Sequence, residues 1–250
     1  ALASDQPFYG LQPQGLDGTQ PLITRLEEMA AHYIREIKTI QPQGPYYLGG
    51  YSFGGFVAFE MAQQLHQQGE KVATLVLLDS CRPNSQQRLP FVKRIRKHLR
   101  NLVEIGPNYL SQRAKVWSKF AQESISRSKY LLKKRYQNIL PIKPVYLLDP
   151  AQQLSETDQH VAIMEANIEA VRGYNFQVYP GKAILLRTDD QQRLESIGVK
   201  YDPQFGWGDL ISGGLDIHNI PGSHFDIFKE PFVQVLAAKL QAHLDKVASL

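Results

Sequence analysis

The sequence predicts an α/β fold: a mostly parallel β-sheet with helices on both faces, interrupted in the middle by a helical insertion. Three observations predict it. Apolar runs of strand length, around residues 46–48, 72–78, 183–186 and 215–220, alternate with amphipathic stretches of helical length, the pattern of strand-helix-strand units. Val72-Ala73-Thr74-Leu75-Val76-Leu77-Leu78 is almost uninterrupted in its apolar character, as expected of a strand covered on both faces. From Arg82 to about Tyr174 the alternation lapses into basic, helix-like sequence.

Pro7-Phe8-Tyr9-Gly10-Leu11 reads as a short first strand, ended by a loop rich in Pro and Gly through Gly18. A helix is expected from about Leu22, because Leu22, Leu26, Met29, Tyr33 and Ile37 fall on one helical face. Pro42, Gly44 and Pro45 break it and lead into the aromatic strand Tyr46-Tyr47-Leu48. The next helix begins near Phe53, turns Val57, Met61 and Leu65 inward, and stops at Gly69. The following strand ends in Asp79. Within the insertion, Ile95, Leu99, Leu102 and Ile105, then Val116 and Phe120, then Leu131, Leu132 and Ile139 give modest helical stripes. A further helix over residues 155–172 carries Val161, Met164, Ile168 and Val171. Strands resume, and a last helix from about Pro231 buries Phe232, Leu236, Leu240, Leu244 and Val247. The expected organisation is a core in two parts, residues 1–81 and 175–250. Between them lie residues 82–174, a basic helical insertion over about 82–140 and a return helix.

The bulk properties narrow the function classes. With 250 residues, 43% hydrophobic and 21% charged, the chain has the composition of a folded globular protein. It contains no apolar run of 18 residues, so no membrane span is expected. Ala1-Leu2-Ala3-Ser4-Asp5 lacks the basic and apolar regions of a secretory signal. The one cysteine, Cys81, excludes an internal disulfide and a cysteine metal cluster and fits a reducing cytoplasm. The net charge of +4 conceals a segregation: residues 82–140 hold 15 Lys and Arg against two Glu, a local +13 in an otherwise acidic chain. No nucleic-acid recognition motif accompanies that charge.

Gly50-Tyr51-Ser52-Phe53-Gly54 matches Gly-x-Ser-x-Gly, placed between an apolar strand and a helix. Such a turn puts the serine in a strained backbone conformation that lifts its hydroxyl off the sheet, and the flanking glycines are expected to avoid collisions with helix and strand. Ser52 is the candidate nucleophile. Two other readings exist: an idle serine in a glycine-rich turn, and the Leu-Gly-Gly-x-Ser pattern of a phosphopantetheine attachment site. The latter requires a small helical domain and disagrees with strand-forming Tyr46 and Tyr47.

Serine needs a base held by a third group, and in this topology the order Ser, acid, His is expected at the carboxyl ends of strands. His224 follows the last strand through a Pro-Gly turn and is the candidate general base. Asp79 ends the strand after the nucleophile helix and is the candidate acid; Asp189 and Asp190, ending a later strand, are alternatives. His32, His66 and His243 fall on helices, His98 and His160 in the insertion, and His218 inside a strand. The N–H of Phe53 is the expected first oxyanion donor. The second belongs to a loop after a strand lying between Pro7 and Ser52 in the sheet, for which no sequence is seen, so the chain is expected to begin partway into its domain.

Gly50-Tyr51-Ser52-Phe53-Gly54-Gly55, Leu77-Leu78-Asp79-Ser80, Tyr179-Pro180-Gly181, Phe205-Gly206-Trp207 and Pro221-Gly222-Ser223-His224-Phe225 together resemble type I thioesterase domains, chain-terminating members of the α/β-hydrolase fold in nonribosomal peptide, polyketide and fatty-acid synthases. The resemblance implies Asp79 as the acid and residues 82–140 as a variable helical lid. It further implies release of an acyl, peptidyl or polyketide chain from a phosphopantetheine thioester through an acyl-enzyme, by hydrolysis or cyclisation. The implied partner is an acyl or peptidyl carrier domain, which carries the phosphopantetheine; no cofactor or metal is expected on the chain itself. A free-standing esterase or lipase of the same fold, and a non-catalytic binding module, are the competing functions.

Overall fold

Among the described residues, four parallel strands, Tyr46–Tyr51, Val72–Leu78, Ala183–Thr188 and Leu215–Ile220 in that order across the sheet, form the sheet that positions everything else. A computed structural model describes residues 6–16, 20–83, 85–106, 110–111, 114, 118, 121, 124–132, 156–189 and 199–248. Along the chain come α1 (Leu26–Ile40), β1 (Tyr46–Tyr51), α2 (Phe53–Gln67), β2 (Val72–Leu78), β3 (Gln86–Arg88), α3 (Phe91–Ile105), α4 (Glu156–Gly173), β4 (Ala183–Thr188), β5 (Val199–Tyr201), β6 (Leu215–Ile220) and α5 (Phe232–Ala248). Residues 124–132 are also helical. β3 and β5 form a separate antiparallel pair.

The register aligns Tyr51 with Leu78, Leu78 with Leu186, and Leu186 with His218, so the carboxyl ends of all four strands stand in one row. Helices cover both faces, as the unbroken apolar run of β2 requires. Val76 packs with Ile184, Leu186, Ile220 and Leu236 of α5. Leu75 and Leu77, fully buried, point to the opposite face because side chains alternate along a strand. α2 lies on β1 and β2, and α1 lies on α2. Sandwiched in this way, α2 is buried nearly all round, with Phe56 and Phe59 joining the expected Val57, Met61 and Leu65. Phe56 and Phe59 meet the indole of Trp207 at centroid distances of 5.6 and 5.0 Å, and Trp207 is wholly buried.

The chain divides into two compact units, Ala1–Tyr9 with Leu26–His98 and Tyr174–Leu250, and Gly10–Arg25 with Leu99–Gly173. The first contains the whole sheet. In the second, Arg127 pairs with Glu165 of α4, and Gln159 Nε2 donates to the carbonyls of Gly15, at 3.1 Å, and Leu16.

Several expectations are corrected. Residues 7–11 form no strand: a strand needs a neighbour for its main chain, none of the described strands pairs with this segment, and Phe8 and Tyr9 are exposed. The first helix starts at Leu26 rather than Leu22, whose side chain instead lies against the turn at Gly15. In α4 the buried positions are Val161, Ala162, Ala166 and Ala170, whereas Met164 is exposed; a reading keyed to large apolar residues overlooks the three alanines. Val116, Phe120 and Ile139 lie outside the described residues.

Candidate active site

Ser52 sits where β1 passes directly into α2. Its N–H donates to the carbonyl of Leu78 at 2.9 Å, extending the β1–β2 ladder by one residue, and its φ of 52° is the positive value that a non-glycine residue adopts only under constraint. Gly50 supplies the room for this turn, since a Cβ there would stand 1.9 Å from the carbonyl oxygen of Gly54. A Cβ on Gly55 would meet the Ser80 hydroxyl at 2.3 Å, so this glycine lets α2 approach the end of β2. Gly54 differs from expectation: a Cβ there would meet nothing within 4 Å. The steric demand therefore falls on the first glycine of the motif and on the residue after it.

Asp79 continues β2 across from this turn. Its N–H donates to the Leu186 carbonyl at 2.7 Å, and its own φ is 44°. Its carboxylate is buried, with His224 Nδ1 at 2.6 Å from Oδ2. Thr188, the last residue of β4, donates its N–H to Oδ1 at 2.8 Å and places its hydroxyl 3.0 Å from both oxygens. With Nδ1–H committed to a carboxylate, Nε2 of a neutral imidazole is left as the proton acceptor.

His224 is carried by the turn after β6. Gly222 enters that turn at φ 101°, and the N–H groups of Asp226 and Ile227 close on the Ser223 carbonyl at 2.9 and 3.1 Å. The Tyr51 ring stacks on the imidazole at 4.7 Å, and the Tyr51 hydroxyl donates to the His224 carbonyl. The side of Ser52 is tied to Asp79 through the next residue, because the buried Ser80 hydroxyl donates to the Ser52 carbonyl at 2.7 Å. Trp207 Nε1–H in turn donates to the Ser80 carbonyl at 2.7 Å. Asp79 and His224 thus meet directly, and Ser52 joins them through its neighbour Tyr51 and through Ser80. Phe53 is the first residue of α2, a position whose N–H has no acceptor within the helix and lies at its positive end.

The alternatives stand elsewhere. Asp189 is exposed beyond β4, its N–H donating to the Ile220 carbonyl at 3.2 Å, and Asp190 is outside the described residues. His218 is exposed on β6. His243, on α5, shares a hydrogen bond of 2.8 Å with the Thr74 hydroxyl. Burial pushes the Cys81 thiol above its ordinary range, which leaves it a poor nucleophile. Among the described residues no group of three His, Cys, Asp or Glu could hold a metal ion, and no helix is long and apolar enough to cross a membrane. Thr188 lies in no motif of the sequence; Tyr51, Ser80 and Trp207 lie within motifs, but the contacts that tie them to the site are made only in the folded chain.

The family model described as thioesterase domain matches residues 1–242. Malpibaldin synthetase of Mortierella alpina is 27% identical over 246 residues, 98% of this chain and 4% of its own length. A dimodular nonribosomal peptide synthase of Bacillus subtilis (strain 168) is 49% identical over 79 residues, 32% of this chain and 3% of its own. The chain thus spans a few per cent of the length of these relatives. Among solved structures, a covalent complex of the NocB thioesterase domain with a fluorophosphonate nocardicin G analogue overlays with a TM-score of 0.55 at 24% identity, covering 92% of this chain and 80% of that one. A four-domain nonribosomal peptide synthetase bound to AMP and glycine gives a TM-score of 0.59 at 24% identity, covering 93% and 17%. These overlays establish a shared fold.

Proposed function

The chain belongs to the thioesterase domain family, and from that premise we propose that it is a serine hydrolase acting on thioester bonds, of the kind found in nonribosomal peptide and polyketide synthases, with Ser52, Asp79 and His224 as its catalytic triad. The observation that carries this reading is the buried Asp79 carboxylate 2.6 Å from His224 Nδ1, beside a strand-to-helix turn that strains Ser52. Ser52 Oγ attacks the thioester carbonyl while His224 Nε2 takes its proton, and Asp79 stabilises the resulting cation. The Phe53 N–H donates to the oxyanion. Collapse expels the thiol, which receives the proton from His224. Water, or a hydroxyl or amine of the acyl chain, then resolves the acyl-enzyme by the same relay.

The substrate we assign is an acyl, peptidyl or polyketide chain held on the phosphopantetheine arm of a carrier domain, upstream in the same synthase or acting in trans, in the cytoplasm. The arm belongs to that partner. Residues 82–140 serve as a lid on a core made of residues 1–81 and 175–250, and their +13 charge attracts the acidic carrier or the phosphate of its arm.

A fluorophosphonate probe tests the triad: labelling of the chain is expected, with loss on Ser52→Ala. Product analysis with a carrier-bound acyl thioester tests the substrate. Faster turnover of simple esters would make the protein an esterase instead, and absence of both labelling and turnover would reduce it to a binding module.

A further inference from the structure

We propose that Thr188 is a positioning residue of this site, its hydroxyl fixing the plane of the Asp79 carboxylate so that Oδ2 meets His224 Nδ1. The inference rests on the triad reading above and adds a residue to it.

A buried carboxylate must have its lone pairs met by donors. Among the described residues, the hydrogen bonds to the Asp79 carboxylate come from Thr188 and His224. The Thr188 N–H reaches Oδ1 alone, at 2.8 Å, and His224 reaches Oδ2 alone, at 2.6 Å. Neither contact by itself fixes the rotation of the carboxylate about its Cβ–Cγ bond. The Thr188 hydroxyl lies 3.0 Å from both oxygens and donates its one proton to either, which holds the carboxylate in a single plane.

The fold prepares this contact. Leu78 pairs with Leu186 across β2 and β4, so residue 188 projects just past the strand end from which Asp79 emerges. Thr188 is 2% exposed, and a β-branched side chain in a strand has few χ1 states open to it, so its hydroxyl arrives oriented. The neighbouring Asp189 is exposed. β4 therefore supplies this site with a donor, and β2 supplies the acid.

The test compares Thr188→Val, Thr188→Ala and Thr188→Ser in the intact chain, with Ser52→Ala as a reference. A hydrogen bond to a charged group corresponds to about a tenfold rate effect, so kcat should fall about tenfold in the Val and Ala variants with KM held within about twofold. The acid limb of the pH profile of kcat/KM should be displaced in both, while Ser restores kcat and the limb. Should Val prevent folding, Ala and Ser carry the comparison alone, because both lack the γ-methyl and only Ser keeps the hydroxyl. Equal kcat and equal pH profiles for Ala and Ser would overturn the proposal, as would wild-type kcat in Val. Retained turnover in Ser52→Ala would overturn the triad reading itself, which separates the two failures.

Discussion

The ring of Tyr51 stacks on the imidazole of His224 with centroids 4.7 Å apart and planes 26° apart, while its hydroxyl holds the main-chain carbonyl of the same histidine. The residue preceding the proposed nucleophile thus grips the proposed base twice. Tyr51→Phe removes the tether and keeps the stack; one neutral hydrogen bond is worth about 1 kcal/mol, so kcat should fall by roughly fivefold. Tyr51→Leu also removes the aromatic face that favours an imidazolium, and a further loss of roughly tenfold is expected. Steady-state kinetics on an acyl thioester check this, and equal rates in both variants would refute the part assigned to the ring.

The three glycines around Ser52 should behave unequally. Gly50→Ala sets a methyl 1.9 Å from a main-chain oxygen and should abolish the turn, with loss of fluorophosphonate labelling and a lowered melting temperature. Gly55→Ala collides with Ser80 and should resemble it in milder form. Gly54→Ala meets open space and should keep the fold, its melting temperature unchanged or slightly raised because alanine favours a helix over glycine by up to about 1 kcal/mol. Unfolding of Gly54→Ala would contradict the geometry.

Asp79 and Asp189 offer a direct choice of acid. Asp79→Asn keeps the shape but offers no charge to an imidazolium and invites the wrong tautomer, for which a loss on the order of 10³ to 10⁴ in kcat is expected. Asp189→Asn, at an exposed position, should remain within about twofold of wild type. Reversal of this order would move the acid to β4.

The sheet could be read from the sequence because its signals are local: the apolar run of β2, the glycine at Gly69 with φ 77° ending α2, and the turn residues around Ser52. The placement of Asp79 and His224 was legible for a related reason, since Asp79 directly follows a predicted strand and His224 follows another through a Pro-Gly turn. β3 and β5 escaped because Gln86-Gln87-Arg88 and Val199-Lys200-Tyr201 are three residues long and need each other to exist. The strand expected at Pro7 failed in the opposite way, having strand-like composition and no partner. Thr188 could not be singled out, because nothing local distinguishes a threonine that reaches a carboxylate 109 positions away.

His243 makes stability depend on pH in a direction that can be worked out. Burial holds its pKa below the ordinary 6.5, with Lys246 and His218 acting the same way and Asp216 opposing them. The folded chain therefore keeps a neutral imidazole in contact with the Thr74 hydroxyl, whereas the unfolded chain protonates its histidine near pH 6.5. Between the two pKa values the unfolded state binds more protons, so stability rises with pH there. The contribution of His243 is complete above about pH 6.5, shrinks as pH falls toward the folded value, and is constant below it. Urea midpoints measured from pH 8 to pH 5 should decline below about 6.5, and His243→Gln, which cannot titrate, should flatten that decline while keeping a partner for Thr74. A midpoint curve that His243→Gln leaves unchanged would assign the acid sensitivity to other groups.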